Sequence, residues 1–292
     1  MEWLPITLLC AFSLASADAL IKARLADYSA RELAFVRLTL TGLLVSPLLF
    51  TQSFPELPLY FWLWVAGIVP LEILAMLLYS RAIRDYPLSQ TLPYLAFTPV
   101  FVTVTGFLLL GESLSSQGLA GILLVVAGAW LLNFKQASWR AWRSWLRPLL
   151  HILQHPGSLM MLGVALLYSI TAVGGKGAMQ YMAPELFGPF YFLLVGLALV
   201  PLLGLGRPKR LKRIWRKPLP VLATAFLMGL MLITHFIALQ QVEVAYMIAV
   251  KRTSLLFGML YGAWLFREPG LGGHLLAGSV MLGGVALIAI EG

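Results

Sequence analysis

The chain has 292 residues, 60% of them hydrophobic and 11% charged, with a mean hydropathy of +0.87 and a formal net charge of +9. That balance excludes an ordinary water-soluble domain, in which about a quarter of the residues are charged. The single cysteine, Cys10, excludes an internal disulfide and argues against redox chemistry. The positive charge lies in stretches between apolar runs, so it reads as a device of membrane orientation and not as a nucleic-acid surface.

A hydrocarbon core of about 30 Å needs about 20 apolar residues of helix. Ten such runs are predicted, at 4–26, 30–50, 58–84, 88–110, 115–134, 158–181, 184–204, 218–240, 244–266 and 271–290. The first imitates a secretory signal peptide, because residues 4–14 are followed by Ala15-Ser16-Ala17. It has no basic residue ahead of it and stays apolar to Ile21, so it is expected as the first span. Short connections carry turn signals, as in Asp27-Tyr28-Ser29, Gly111-Glu112-Ser113 and Glu268-Pro269-Gly270. Two connections, 135–157 and 205–217, are longer and basic.

In the first of these, Trp139, Trp142 and Trp145 recur every three residues, with Arg140, Arg143 and Arg147 offset from them. A helix there would present an indole face and a guanidinium face, as a segment in the headgroup layer does; a soluble partner is the alternative. The basic run at 207–213 is expected to anchor topology on anionic lipid and not to bind nucleic acid.

The halves repeat. A shift of 154 puts Lys22 on Lys176, Gly42 on Gly196 and Pro47 on Pro201; a shift of 156 puts Ala82 on Ala238, Gly106 on Gly262, Glu112 on Glu268 and Gly128 on Gly284. Five helices per repeat is an odd number, so the second half is expected upside down relative to the first. The expected units are 1–134 and 158–292, joined by a basic amphipathic interfacial linker at 135–157. Inverted repeats place a substrate site near the midplane between the halves. Lys and Arg fall in the loops after spans one, three, five, seven and nine, and none in the other loops or at the termini. The expected location is therefore the plasma (inner) membrane, with basic loops cytoplasmic and both termini outside.

Enzyme motifs are absent: there is no GxSxG, HExxH, DDxxD or GxxxxGK[ST]. His151 and His155 share a helical spacing but have no third ligand nearby, so neither a metal nor a cofactor is expected. The segment Gly174-Gly175-Lys176-Gly177 lacks the strand and hydroxyl of a phosphate loop; its glycines permit close backbone approach or helix packing. Chemistry points instead to ionisable residues inside the spans: Asp18, Lys22, Arg37, Glu72, Lys176, His235, Lys251 and Arg252.

Lys251 and Arg252 stand out, since each costs roughly 2.5–3.5 kcal/mol at the centre of a span on insertion scales. They are candidate ligands for a negative group, with Thr253 and Ser254 as hydroxyl donors and Lys176 as a third cation. A structural salt bridge with Glu72 or Asp18 is the alternative. Asp18 and Lys22 are four apart and suited to pair, while Lys22 and Arg37 lie near span ends where they can snorkel. Glu72 sits beside Pro70 and is expected either to pair with Arg37 or Lys22 or to carry a coupling proton. His235 is a further proton-coupling candidate. Tyr94, Tyr168, Tyr246 and Trp264 are candidate cavity lining, and Pro93, Pro99, Pro189 and Pro201 candidate bends.

The pattern Ala82…Pro99…Gly106…Gly111-Glu112…Gly121…Gly128, echoed by Ala238…Gly262…Glu268…Gly278…Gly284, resembles the ten-helix, two-repeat EamA-type proteins of the drug/metabolite transporter superfamily. Phe35-Val36-Arg37 is similar to that family's aromatic-x-arginine near the start of helix two; the counterpart Pro189-Phe190-Tyr191 lacks the arginine. Val250-Lys251-Arg252 resembles the Lys-Arg pair of the phosphate-translocator branch, which is associated with a substrate phosphate. The resemblance implies an all-α membrane protein without enzymatic activity. It implies a secondary active transporter of a small anionic metabolite, phosphorylated or carboxylated, working by alternating access. Proton coupling or counter-substrate exchange, as in an antiporter, fits equally. An exporter of amino acids or other zwitterions is the alternative reading, and a membrane enzyme or lipid-handling protein a remote one.

Overall fold

The computed structural model describes residues 2–86, 94–132, 156–202, 212–265 and 271–291, and the regular structure among them is helical. In chain order the helices are α1 (Trp3–Arg24), α2 (Ala30–Phe50), α3 (Leu59–Asp85), α4 (Thr98–Leu110), α5 (Ser116–Leu132) and α6 (Pro156–Ala178). There follow α7 (Pro184–Leu202), α8 (Pro218–Gln241), α9 (Val244–Lys251), α10 (Ser254–Leu265) and α11 (Leu271–Glu291). Among the described residues seven stretches are long and apolar enough to cross a bilayer, and Thr98–Leu110, Ser116–Leu131 and Leu276–Ile290 are shorter apolar helices. The apolar runs of the sequence thus appear as helices. Exposed Leu43, Phe107, Leu108, Phe226 and Leu260 stud the outer surface, as lipid-facing positions do. The aromatic-basic stretch with Trp139, Trp142, Trp145, Arg140, Arg143 and Arg147, together with His151, His155, the 207–211 run, Pro93 and Glu268, lies outside the described residues.

The ninth apolar run is not one helix. It breaks at Arg252-Thr253, between α9 and α10, and the fourth breaks at Ala96-Phe97, just before α4. A shift of 156 superposes these breaks, and the hydrogen bonds agree. Phe97 N–H reaches the Tyr94 carbonyl at 3.2 Å as Thr253 N–H reaches Val250 at 3.0 Å. Val100 N–H reaches Phe97 at 3.0 Å as Leu256 N–H reaches Thr253 at 2.9 Å. Both breaks thus close with i→i+3 bonds, which satisfy the backbone where the α-helical ladder stops.

The two halves interlock along glycine faces, and the contacts are reciprocal. A Cβ on Gly128 (α5) would meet the Met281 amide at 2.7 Å and the Ala277 carbonyl at 2.8 Å on α11. One on Gly284 (α11) would meet the Val125 amide at 2.8 Å and the Gly121 carbonyl at 2.6 Å on α5. Each of these pairs is related by the same shift of 156. Likewise Gly42 (α2) lies against the backbone of Phe192, and Gly196 (α7) against that of Leu38 and Thr39, related by 154. Without Cβ atoms the helices approach to backbone contact, the packing that drives association where there is no hydrophobic force between helices. The glycines around Lys176 serve packing too: Gly174 and Gly177 face Ile68 and Trp64 on α3. The α3–α6 and α1–α8 pairs are related in the same way, and both are closely packed.

The loop contacts sort the ends of the bundle. After α1, Asp27 accepts from Lys217 at 2.7 Å, and Tyr28 donates to the Ile214 carbonyl at 2.8 Å, just ahead of α8. Arg213 pairs with Glu32 at 3.1 Å. The connections after α1 and α7 therefore share one end. At the other, Glu112 after α4 meets Lys176 at the end of α6 and Val244 at the start of α9.

Candidate functional site

Between these ends a polar cluster joins both halves. α2 widens into a π-helical stretch at Phe35–Leu40, where Thr41 Oγ1 donates to the Val36 carbonyl at 3.1 Å. Such widenings recur at functional sites. Here it carries Arg37, which is 5% exposed and whose Nη1 donates to Asp18 Oδ1 at 2.6 Å. The guanidinium lies 5.5 Å from the centre of the Tyr79 ring. Asp18 thus takes Arg37, and that pairing spans two helices. Lys22 lies a turn further along α1, exposed toward its C-terminal end.

Glu72 is buried two residues beyond Pro70. Its carboxyl faces the hydroxyls of Thr171 on α6 and Tyr191 on α7, and the charge of Lys251. Arg37 is committed to Asp18 and not to Glu72. Tyr191 stands where a shift of 154 carries Arg37, and its phenol, which donates to the Ile68 carbonyl at 3.5 Å, lies near Glu72.

Lys251 closes α9 and Arg252 lies in the break itself. Lys251 Nζ is half-buried, 3.2 Å from His235 Nδ1 and 3.5 Å from Met231 Sδ, both on α8. Arg252 is 6% exposed, within electrostatic range of Tyr79, Tyr168 and Cys10. Among the described residues no carboxylate pairs with either cation. Arg252 Nε and Thr253 Oγ1 are buried and have no hydrogen-bond partner there, and the same holds for Ser13 Oγ on α1. Ser13 is three residues from Cys10, whose Sγ donates to the Met231 carbonyl at 3.4 Å, so both occupy the α1 face turned to this cluster. Ser254 is buried beside them.

The remaining predicted residues lie elsewhere. Lys176 is held by Glu112 at 2.7 Å and by the Val242 carbonyl at 2.6 Å, just ahead of α9, whose first residue, Val244, lies seven residues of helix, about 10 Å, from Lys251. Tyr246 is buried against Gly118, its hydroxyl accepting from the Ser115 amide at 3.4 Å. Tyr94 packs edge-on against Trp130 at 5.7 Å in a separate apolar cluster with Met161 and Val164. Trp264 is 79% exposed on α10 and faces outward, not into a cavity. Ser13, Tyr79, Thr171 and Tyr191 belong to the cluster and escaped sequence reasoning. A hydroxyl or phenol inside an apolar helix carries no signal of its own. Among the described residues no three His, Cys, Asp or Glu side chains gather to hold a metal.

A helical bundle with broken spans and charged residues at the break defines a multi-pass membrane protein with an internal polar site. The profile of the EamA-like transporter family matches residues 1–134 and 155–290. The chain belongs to that family, and is a membrane transporter by that membership. It is also 34% identical, over 71 residues, to a protein of Erwinia tasmaniensis described as a probable 4-amino-4-deoxy-L-arabinose-phosphoundecaprenol flippase subunit, ArnE. That match covers 24% of this chain and 66% of the relative. A protein of known crystal structure matches 98% of this chain with 97% of its own, at a TM-score of 0.67 and 18% identity, a likeness of fold.

Proposed function

We propose that the protein is a secondary active transporter of a small organic anion, phosphorylated or carboxylated, that works by alternating access. The observation that carries this reading is the pair Lys251 and Arg252 at a helix break, largely buried, with no carboxylate among the described residues in salt-bridge contact with either and with Arg252 Nε and Thr253 Oγ1 unpartnered. An unpaired buried cation is costly, and an arriving anion offsets that cost. Arg252 supplies a planar fork and Lys251 a compact charge, while Thr253, Ser254 and Ser13 add hydroxyls.

Arg37 and Asp18 cancel, leaving two cations against Glu72. With Glu72 ionised the site carries one net positive charge, and with Glu72 protonated it carries two. Proton movement on Glu72 would then select between a monoanion and a dianion, and His235 beside Lys251 is the second proton carrier in this reading.

In the same reading the units are 1–134 and 158–292, inverted about the midplane and joined by the linker 135–157. The basic loops face the cytoplasm, near anionic lipid, and the termini the outside. The reciprocal glycine contacts, the superposable helix breaks and the two ends sorted by loop contacts support this arrangement.

The flippase name of the Erwinia relative favours a second reading, a lipid-linked phosphate, with the same head-group chemistry. Exchange by proteoliposomes tests both. Water-soluble phosphate esters and carboxylates taken up by the wild type and not by Lys251→Gln support the first reading. Movement of a fluorescent polyprenyl phosphate alone supports the second. Neither movement contradicts both.

A further inference from the structure

Seven residues before Lys251, at the start of the same helix, stands a second seat for an anion, and the chain's own carboxylate fills it. Glu112 Oε1 accepts from the Lys176 ammonium at 2.7 Å, and Oε2 from the Val244 amide at 3.0 Å, so each oxygen has its own donor. Val244 opens α9, where backbone N–H groups lack helical partners and the helix dipole is positive. Lys176 also donates to the Val242 carbonyl at 2.6 Å, which ties α6 to the entrance of α9. The side chains of Lys176 and Glu112 are only 23% and 13% exposed.

The backbone delivers Glu112 there. Gly111 adopts φ 68°, a left-handed turn that favours glycine, and Glu112 N–H returns to the Gly106 carbonyl at 3.2 Å. Beside the seat opens a polar cavity of about 590 Å³, whose walls include Ser113, Ser115, Gln241, Val242, Glu243 and Tyr246. One ammonium and one amide, each on its own oxygen of a carboxylate, would serve a substrate carboxylate or phosphate equally well.

We propose that Lys176 and the Val244 amide form a second, transient site for the transported anion, which displaces the Glu112 carboxylate as it passes between this cavity and Lys251-Arg252. The proposal rests on the transport reading above. Seven residues of α9 separate the two seats by about 10 Å, a short step for a small anion. With Glu112 seated, α6, α9 and the turn after α4 are pinned together and this end is shut. With a substrate anion on Lys176, Glu112 is free to turn into the cavity and the end opens.

The test uses the full chain in nanodiscs, with Cys10→Ala and the reporter Met247→Cys, a buried position on α9 between the two seats. The readout is the rate of modification by a membrane-impermeant thiol reagent. Glu112→Gln is expected to raise that rate about tenfold, within the usual span of coupling between sites, and Lys176→Gln to do the same. Inorganic phosphate or a small carboxylate should raise the rate when Glu112 and Lys176 are intact and have no effect in Lys176→Gln. Melting curves verify folding, and Lys176→Gln is read alone if Glu112→Gln does not fold. An unchanged rate in the folded variants overturns the proposal. An anion effect abolished by Lys176→Gln but kept in Lys251→Gln supports the second seat, because an anion on Lys176 opens this end without Lys251. The converse removes the second seat alone.

Discussion

Lys251 reaches His235 across 3.2 Å, ammonium to Nδ1, and an imidazole nitrogen that accepts from an ammonium belongs to a neutral ring. Because that nitrogen accepts, the ring proton belongs on Nε2. A cation resting on an imidazole keeps its charge uncancelled, whereas one resting on a carboxylate does not. Arg37 shows the contrast: its partner is Asp18 at 2.6 Å, so its charge is spent inside the protein. In the proposed reading the two arrangements separate a structural cation from one available to a substrate.

His235→Leu removes the acceptor and leaves Lys251 with the weak Met231 sulfur. The expected cost is about 1–3 kcal/mol, that of a buried donor deprived of its partner. His235→Gln, which offers a carbonyl, should cost less. Adding phosphate should recover part of the loss in His235→Leu, because an anion gives Lys251 a new partner. Thermal unfolding in detergent, with and without phosphate, measures all three. Equal stability of the Leu and Gln variants would mean that the contact carries no weight.

The glycine interface between α5 and α11 makes a steric prediction. In Gly284→Ala the new methyl would lie 2.6 Å from the Gly121 carbonyl oxygen and 2.8 Å from the Val125 nitrogen, both backbone atoms that cannot swing aside. Overpacking of this kind costs about 1–3 kcal/mol. Gly163→Ala is the control: nothing lies within 4 Å of its Cβ, and replacing a helical glycine should be neutral or stabilising by up to about 1 kcal/mol. Unfolding by titrated denaturing detergent ranks the two. A harmless Gly284→Ala would mean that α5 and α11 are not in backbone contact.

The loop after α1 carries a pH-dependent tie. The hydrogen bond from Lys217 holds the Asp27 carboxyl below its ordinary range, with the charge of Arg216 acting in the same direction and partial desolvation opposing. A depressed carboxyl stabilises the fold fully above its unfolded value, about 3.9, and loses that contribution as pH falls through the lower folded value. Asp27→Asn should therefore lower the melting temperature slightly at pH 7 and converge with the wild type at acid pH. Because the pair is exposed, salt should shrink the difference. A gap that persists in acid would assign the effect to packing.

Length and polarity made the spans legible before any coordinates. An apolar run of bilayer length has no alternative to a helix, because lipid offers its backbone no partner. The repeat was legible through residues that cannot be exchanged freely, Lys22 with Lys176 and Glu112 with Glu268. Lys251 and Arg252 were legible as an anomaly of charge. What lies between helices was not. The partner of Arg37 is nineteen positions away in the chain, and that of Lys176 sixty-four, so no spacing rule reaches them. The break at Ala96-Phe97 was invisible because Leu95, Ala96 and Phe97 are as apolar as any helix interior; only its counterpart at Arg252-Thr253 betrays it. Tyr191 reads as packing until Glu72 is seen opposite.

Anion binding at Lys251 and Arg252 is the central claim, and equilibrium binding tests it most directly. Titration calorimetry of the purified protein with phosphate and with small carboxylates should give saturable binding in the wild type. Lys212→Gln, the loss of an exposed loop charge, should leave it unchanged, while Lys251→Gln and Arg252→Gln should each weaken it by about tenfold or more, the worth of a charge-assisted hydrogen bond. Affinity for these anions that is the same in all four proteins would contradict the account.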